Sequence, residues 1–517
     1  MSDFRAGAAA SSLAPPLGLP MPGFVRSQDG ATGHGLPLKA TALVLERDAT
    51  RAVLCGVDTL GIQSPAVDRI RQRVVEATGA VPAGVLLNWN HTHRAPPATR
   101  DFLRRSGSLA TDGDARLDDY AAFLERQIVS AAALATAQLQ PARIAWGVGS
   151  VDLSVNRRDL GQAGKIVHGW RRSGLLDRDV VSLQARRRDG SVIATLVGFG
   201  CHTVSAGMDV PLYSSDFPGA MRLALQAATG GEAVFFQGAA GNVNPMCAFC
   251  SDEAEARRMG ERLALEAMHS LADRPAWPQR LVSRADASLV PMINFRFEDA
   301  PDEAPALSAA EERLTFPLLP VPSLPEARVL AADYAAAARA AEERGAGPAE
   351  HLGIVYHAKW ARRLVEDLEV GDVASTAEGP VNAVRIGDGV IVSGPGEVFT
   401  EIGLAVRERS PGQPTLYSGY TNGAVSYFAT SEAFGEGGYE PAFSNRTYGL
   451  PAPLAPGCDR LLVEHGVRLA ESLFPERVPF SGTTWSATAE HFALPSQRLE
   501  RPEDAGGALP VTAPPPG

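Results

Sequence analysis

Seven short apolar runs, each ending in glycine or a polar side chain able to do chemistry, constrain this chain more than any other feature. They are ATALVLE (40–46), AVLCGVD (52–58), GVLLNWNHTH (84–93), SVIATLVGFGCHT (191–203), AVFFQGAAGNVNP (233–245), GVIVSGPGE (389–397) and TLYSGYTNG (415–423). Continuous Val/Ile/Leu runs of this kind suit strands buried on both faces. Helical stretches at 65–77, 118–138, 216–228, 252–272, 355–369, 398–409 and 458–473 alternate with them. Strand–helix alternation predicts a layered α/β architecture. No internal repeat stands out. The reading gives a domain over 1–475 in which 298–350, Pro-rich and then Ala-rich, is an insertion over one face. The Gly- and aromatic-rich stretch 430–450 reads as a functional loop. Residues 476–517 read as an extension, disordered from about Pro495 because Pro and Gly dominate there.

Composition narrows the partners. A net charge of −11 and a pI near 5.5 argue against nucleic acid or an anionic membrane surface, both of which require a basic face. No window reaches the apolar length of a membrane span, and MSDFRAGAAASSLAPPLGLP lacks the basic-then-apolar pattern of a secretion signal. The expectation is a cytoplasmic protein in a reducing compartment, without stable membrane association. Five thinly spread cysteines fit that setting. Cys247 and Cys250 form a lone C-x-x-C without the second pair of a zinc finger, and read as two small buried residues.

The strand ends carry the chemistry. Open α/β sheets bind ligands beyond the carboxyl ends of strands, where His91, His93, His202 and Glu397 all stand. In extended chain His91 and His93 would face one side, since alternate residues do. Alone, that pair reads equally well as one buried and one solvated histidine, and Glu397 as a carboxylate capping the next helix. Together, two imidazoles and a carboxylate make a recurrent catalytic zinc set with a position left for water or substrate. Imidazole suits copper and iron too, but no redox-cofactor motif accompanies the set. The Gly238–Gly241 loop lacks the Gly-Lys-Ser/Thr ending of a phosphate-binding loop. Gly33-His34-Gly35 and the glycines at 435–438 read as structural, with lining of a site mouth as the alternative.

NHTHRAPP resembles the THTHSGP segment of neutral, non-lysosomal ceramidases. The resemblance continues in order through PPLGLPMPGF (15–24), VNRR (155–158), GCHTVS and SSDFPG (200–219), FFQGAAGNVNP (235–245), GPGEVFTEIG (394–403) and SYFATSEAFGEGGYE (426–440). It implies Zn2+ held by His91, His202, Glu397 and Tyr427. It also implies that His93, Arg157 and Tyr439 polarise the scissile carbonyl and hold the oxyanion. The tyrosine ligand rests wholly on the resemblance.

Two departures shape the functional expectation. Where the ceramidase motif reads GDVSP, this chain has Gly241-Asn242-Val243-Asn244-Pro245, and Asn244 cannot form an acyl-enzyme. Only about forty residues follow the last helical stretch, too few for the immunoglobulin-like sandwich of about 100 residues that those enzymes carry. The expected activity is therefore hydrolysis of an amide, ester or lactam of a small soluble substrate by zinc-bound water. His93 would act as general acid or base, and Asn244 would orient the substrate. The alternatives are a true ceramidase or N-acyl-lipid amidase, and a non-catalytic metal-binding homologue.

Overall fold

The computed structural model describes residues 4–24, 30–99, 115–161, 164–272, 279–286, 292–299 and 304–476. Almost all of the expected extension and tail, from 477 on, lies outside the described residues.

The protein is a layered α/β fold in which one unit of topology occurs three times. In the first unit, strands Arg5–Ser12, Lys39–Arg47 and Thr50–Val57 form an antiparallel meander; helix Ala66–Thr78 follows, and strand Val85–Trp89 returns parallel to the third strand. The second unit repeats this with Arg143–Ser150, Asp179–Arg186, Val192–Phe199, helix Asp216–Thr229 and Glu232–Gln237. The third does so with Leu307–Pro317, Thr376–Ile386, Gly389–Ser393, helix Thr400–Arg409 and Thr415–Ser418. Each sheet is therefore mixed, with one parallel pair at an edge. Residues 307–317, expected to lie within a peripheral insertion, are the first strand of the third unit. Its charged triplet Glu311-Glu312-Arg313 hides the pattern, because these side chains are held by ion pairs to Arg71, His465 and Asp68 rather than marking a solvated loop.

Local sequence explains the elements. Helix Ala66–Thr78 buries Val67, Ile70 and Val74 on one stripe and stops at Gly79, whose φ of 70° is left-handed. Strand Arg5–Ser12 carries only small side chains after Arg5 because helix Ala115–Ala137 lies directly on it: a Cβ at Gly7 would come within 2.2 Å of the Ala135 carbonyl oxygen. Leu43, Leu54, Leu183, Leu196, Ile391 and Leu416, drawn from all three sheets, share one buried cluster, so the units are fused by a common core.

The fourth strands meet at that fusion. Asn88 donates to the Gln237 carbonyl, Ser418 Oγ, the Gly419 carbonyl and Thr421 Oγ1, and accepts from the Gln237 amide. Strand direction then decides which loops form the site. Within each unit, the loop joining the first two strands and the loops after the third and fourth strands open at the same end. The first of these loops carries Phe24 in unit one, the hairpin Ser154–Leu160/Ile166–Arg171 in unit two, and the helices Leu324–Glu343 and Pro348–Val370 in unit three.

Candidate metal centre

The three units bring all eight expected site residues together. His91 does not sit on the strand: Val85–Trp89 ends before it, and His91 adopts a φ of 63°. The expectation that His91 and His93 align through strand alternation is thus corrected. They converge instead through a turn, which Asn90 Oδ1 fixes by accepting from the Thr92 amide, and their ring centroids lie 5.0 Å apart. His202 follows strand Val192–Phe199, and its amide donates to the Val243 carbonyl at 3.0 Å. Glu397 lies opposite Tyr427 on a two-residue parallel ladder. It does not cap a helix; the next helix begins at Thr400. Gly241 permits the second and third units to touch here, since a Cβ on it would come within 2.6 Å of the Glu397 carbonyl oxygen.

The ring nitrogens are assigned by their partners. His91 Nδ1 lies 2.6 Å from the Leu60 carbonyl and His202 Nδ1 lies 2.7 Å from the Ala240 carbonyl. A carbonyl only accepts, so each Nδ1 carries a proton, and in the neutral ring Nε2 holds the lone pair. Those Nε2 atoms lie 3.3 and 3.0 Å from the same oxygen, Glu397 Oε2. Burial, with Arg157 beside it, pushes His202 down to about 4, so it is neutral at pH 7. Burial alone would raise the Glu397 carboxyl, but His91 and His202 hold it well below the usual range. The His202 Nε2 lone pair and the Glu397 carboxylate, with His91 Nε2 beside them, converge closely enough to act as donors to one cation. This donor set suits a borderline-soft divalent ion such as Zn2+.

Two further groups adjoin the set. The Tyr427 hydroxyl lies 3.5 Å from His202 Nε2 and accepts from Arg157 Nη2 at 3.0 Å. His93 offers a nitrogen within the same space, so that His91, His93 and His202 form a second possible three-ligand group. Both His93 ring nitrogens are buried and meet no hydrogen-bond partner among the described residues. Burial, reinforced by His91 and His202, holds its pKa well below the ordinary value.

Arg157 links the remaining residues. Its Nη1 lies 3.2 Å from His202 Nε2 and donates to Asn244 Oδ1 at 3.4 Å, while Nε donates to Glu440 Oε1 at 2.9 Å. The Tyr439 ring packs edge-on to Tyr427 at 5.5 Å, and its hydroxyl pairs with Thr447 Oγ1 at 3.0 Å. The stretch 430–450 thus forms a wall of the site.

Sequence reasoning missed three groups. Tyr448 donates to Glu397 Oε1, and Tyr420 donates to Glu397 Oε2 at 3.3 Å. Glu440 holds Arg157 and Arg158 and lies 3.2 Å from His168 Nε2. Tyr420 obeys the same strand-end rule that selected His91, and Glu440 adjoins Tyr439; nothing in the sequence marks Tyr448. Elsewhere, His34 is exposed and packs on Tyr213 with centroids 5.5 Å apart. Cys247 is exposed and Cys250 half-buried, contrary to the expectation of two buried residues, because their loop lies at the surface. All five cysteines carry free thiols. Among the described residues, no helix is long and apolar enough to cross a membrane.

No protein-family model matches this chain, and no curated protein sequence does. Among solved structures it is similar to the neutral ceramidase from Pseudomonas aeruginosa, with a TM-score of 0.62 at 17% identity over 94% of this chain and 77% of that one. A ceramidase complexed with C2 aligns with the same score and identity, over 95% of this chain and 78% of that one. The likeness shows a shared fold.

Proposed function

We propose, from the fold shared with those ceramidases and the polar cluster at its strand ends, that this chain is a zinc-dependent hydrolase acting in the cytoplasm. Its substrate would be a small soluble molecule with an amide, ester or lactam bond. One observation carries the reading: the Nε2 atoms of two histidines and one carboxylate oxygen converge within 3.0–3.3 Å in a buried site, with Arg157 as the adjoining cation. His91, His202, Glu397 and Tyr427 would hold the ion. Zn2+ bound there supplies a Lewis acid and brings a coordinated water toward a pKa of about 7.

The chain's own residues divide the remaining work. His93, whose nitrogens are uncommitted, takes the proton of the attacking water and returns it to the leaving group. Arg157, kept cationic by Glu440, and Tyr439 donate to the oxyanion that develops on the carbonyl. Asn244 orients polar groups of the substrate; a carboxamide forms no acyl-enzyme, so water attacks directly. The free thiols support the cytoplasmic setting.

Metal analysis of the purified chain, followed by turnover of a panel of amides, esters and lactams, tests the proposal. About one equivalent of zinc is expected, with His202→Ala losing most of it and Glu397→Gln losing turnover. Stoichiometric zinc and full activity in His202→Ala would sink the assignment. The shared fold also favours a second reading, that of an N-acyl-lipid amidase. Efficient cleavage of a long-chain amide in detergent by the wild-type chain would establish that reading instead.

A further inference from the structure

We infer that Gln237 is a positioning residue for this centre: its carboxamide joins the peptides immediately before His91 and His202 and thereby sets the separation of the two imidazoles. The inference rests on the metal-centre reading above. Gln237 ends the fourth strand of the second unit and is fully buried. Its Nε2 donates to the Asn90 carbonyl at 3.1 Å and to the Cys201 carbonyl at 2.8 Å, and its Oε1 accepts from the Cys201 amide at 3.1 Å. Every polar capacity of the amide but one acceptor lone pair is thus spent on the residues directly ahead of the two histidines. Both of its N–H groups are committed, one to each loop.

This bridge is needed because the histidines belong to different units. His91 stands on a first-unit loop and His202 on a second-unit loop, and no ladder pairs residues 90 and 201. Thr203 Oγ1 adds a second tie, donating to the same Asn90 carbonyl at 2.7 Å. The ring nitrogens are then oriented locally, by Leu60 and Ala240. Gln237 therefore fixes where the two imidazole carriers sit, and those carbonyls fix how each ring turns.

Donation, rather than bulk, is what the position requires, and two isosteric variants separate the two. Gln237→Met keeps the volume and removes the donors. Gln237→Glu keeps the shape and the acceptor for the Cys201 amide, but sets a carboxylate oxygen against the Asn90 and Cys201 carbonyls. Gln184 is a control of equal chemistry: it is also buried, in the same sheet, and its Nε2 donates to Thr195 Oγ1 at 2.8 Å, away from the histidine loops.

Zn2+ affinity would be measured on the full chain by chelator competition, with the visible absorption of the Co2+-loaded protein reporting ligand geometry. Gln237→Met should weaken Zn2+ binding roughly 10-fold and shift the Co2+ bands. Gln237→Glu should weaken it at least as much, and Gln184→Met should leave affinity and bands at wild-type values whatever it does to Tm. Wild-type affinity and an unshifted Co2+ spectrum in both Gln237 variants would overturn this inference while leaving the metal centre intact. Equal weakening in Gln184→Met would also overturn it, by showing a general loss of packing. A wild-type chain that binds no Zn2+ would instead remove the metal-centre reading on which it rests.

Discussion

Glu440→Gln removes one negative charge from a buried ion cluster that adjoins the site. Glu440 Oε1 accepts from Arg157 Nε at 2.9 Å and Oε2 from Arg158 Nη1 at 2.6 Å, and the three side chains are 0%, 4% and 3% exposed. Burial alone would raise the Glu440 carboxyl, but Arg157, His168 and Arg158 hold it far below the usual carboxylate range. With so little solvent at the pair, no screening discount applies, and the loss follows the buried-pair rule of about 3–5 kcal/mol, because Arg157 loses its carboxylate partner while Arg158 keeps only Glu436. Unfolding entropy scales at about 2.1 cal/mol/K per residue, or about 1.1 kcal/mol/K over 517 residues, so Tm should fall by about 3–5 °C. Differential scanning calorimetry at pH 7 measures the fall. Arg157 also loses the anchor that directs Nη1 toward His202 and Nη2 toward Tyr427. Turnover should therefore drop in the same variant at temperatures where it remains folded. A Tm shift below about 1 °C, which is roughly 1 kcal/mol at this chain length, would refute the view that this carboxylate holds the two arginines.

Two further outcomes are expected. Asn244→Ala should raise KM by a factor corresponding to about 1–3 kcal/mol with little change in kcat, and neither the wild-type chain nor Asn244→Ser should show a burst phase; an acyl-serine trapped in the wild-type chain would refute attack by water alone. His357, which accepts from Arg446 Nη1 at 2.9 Å, is pushed down to about 3 chiefly by burial and then by that arginine. Above about pH 6.5 both folded and unfolded chains hold it neutral; below, only the unfolded chain takes the proton, so its stabilisation is complete above that pH and is lost as pH falls toward 3, at up to about 1.4 kcal/mol per unit. Urea midpoints at pH 7 and pH 5 should converge in His357→Gln relative to wild type, and identical pH dependence would count against it.

Much of the fold was legible because it depends on local pattern. The apolar runs at 40–46, 52–58 and 191–203 and the helices near 65–77, 216–228 and 458–473 appear close to their read positions, since hydrophobic periodicity and glycine stops act over a few residues. Strand ends likewise revealed His91, His202 and Glu397, because parallel pairing sends every such end to one face. Tyr427, Arg157 and Tyr439, which the structure places beside the histidines, became visible only through an ordered resemblance, since neither a tyrosine nor an arginine announces such a position by its type.

Tertiary structure decided the rest. The threefold topology is absent from the sequence as a repeat because hydrogen-bonded backbone direction, not side-chain identity, defines each unit. The charged edge strand Leu307–Pro317 gains its place by pairing with Thr376–Ile386, a partner some sixty residues away whose register no local pattern encodes. Glu440, Tyr420, Tyr448 and Gln237 acquire meaning only when three units close on one another. Sequence determines which residues stand at strand ends; only the packing of three sheets on a shared core determines which of those ends face the same few ångströms of space.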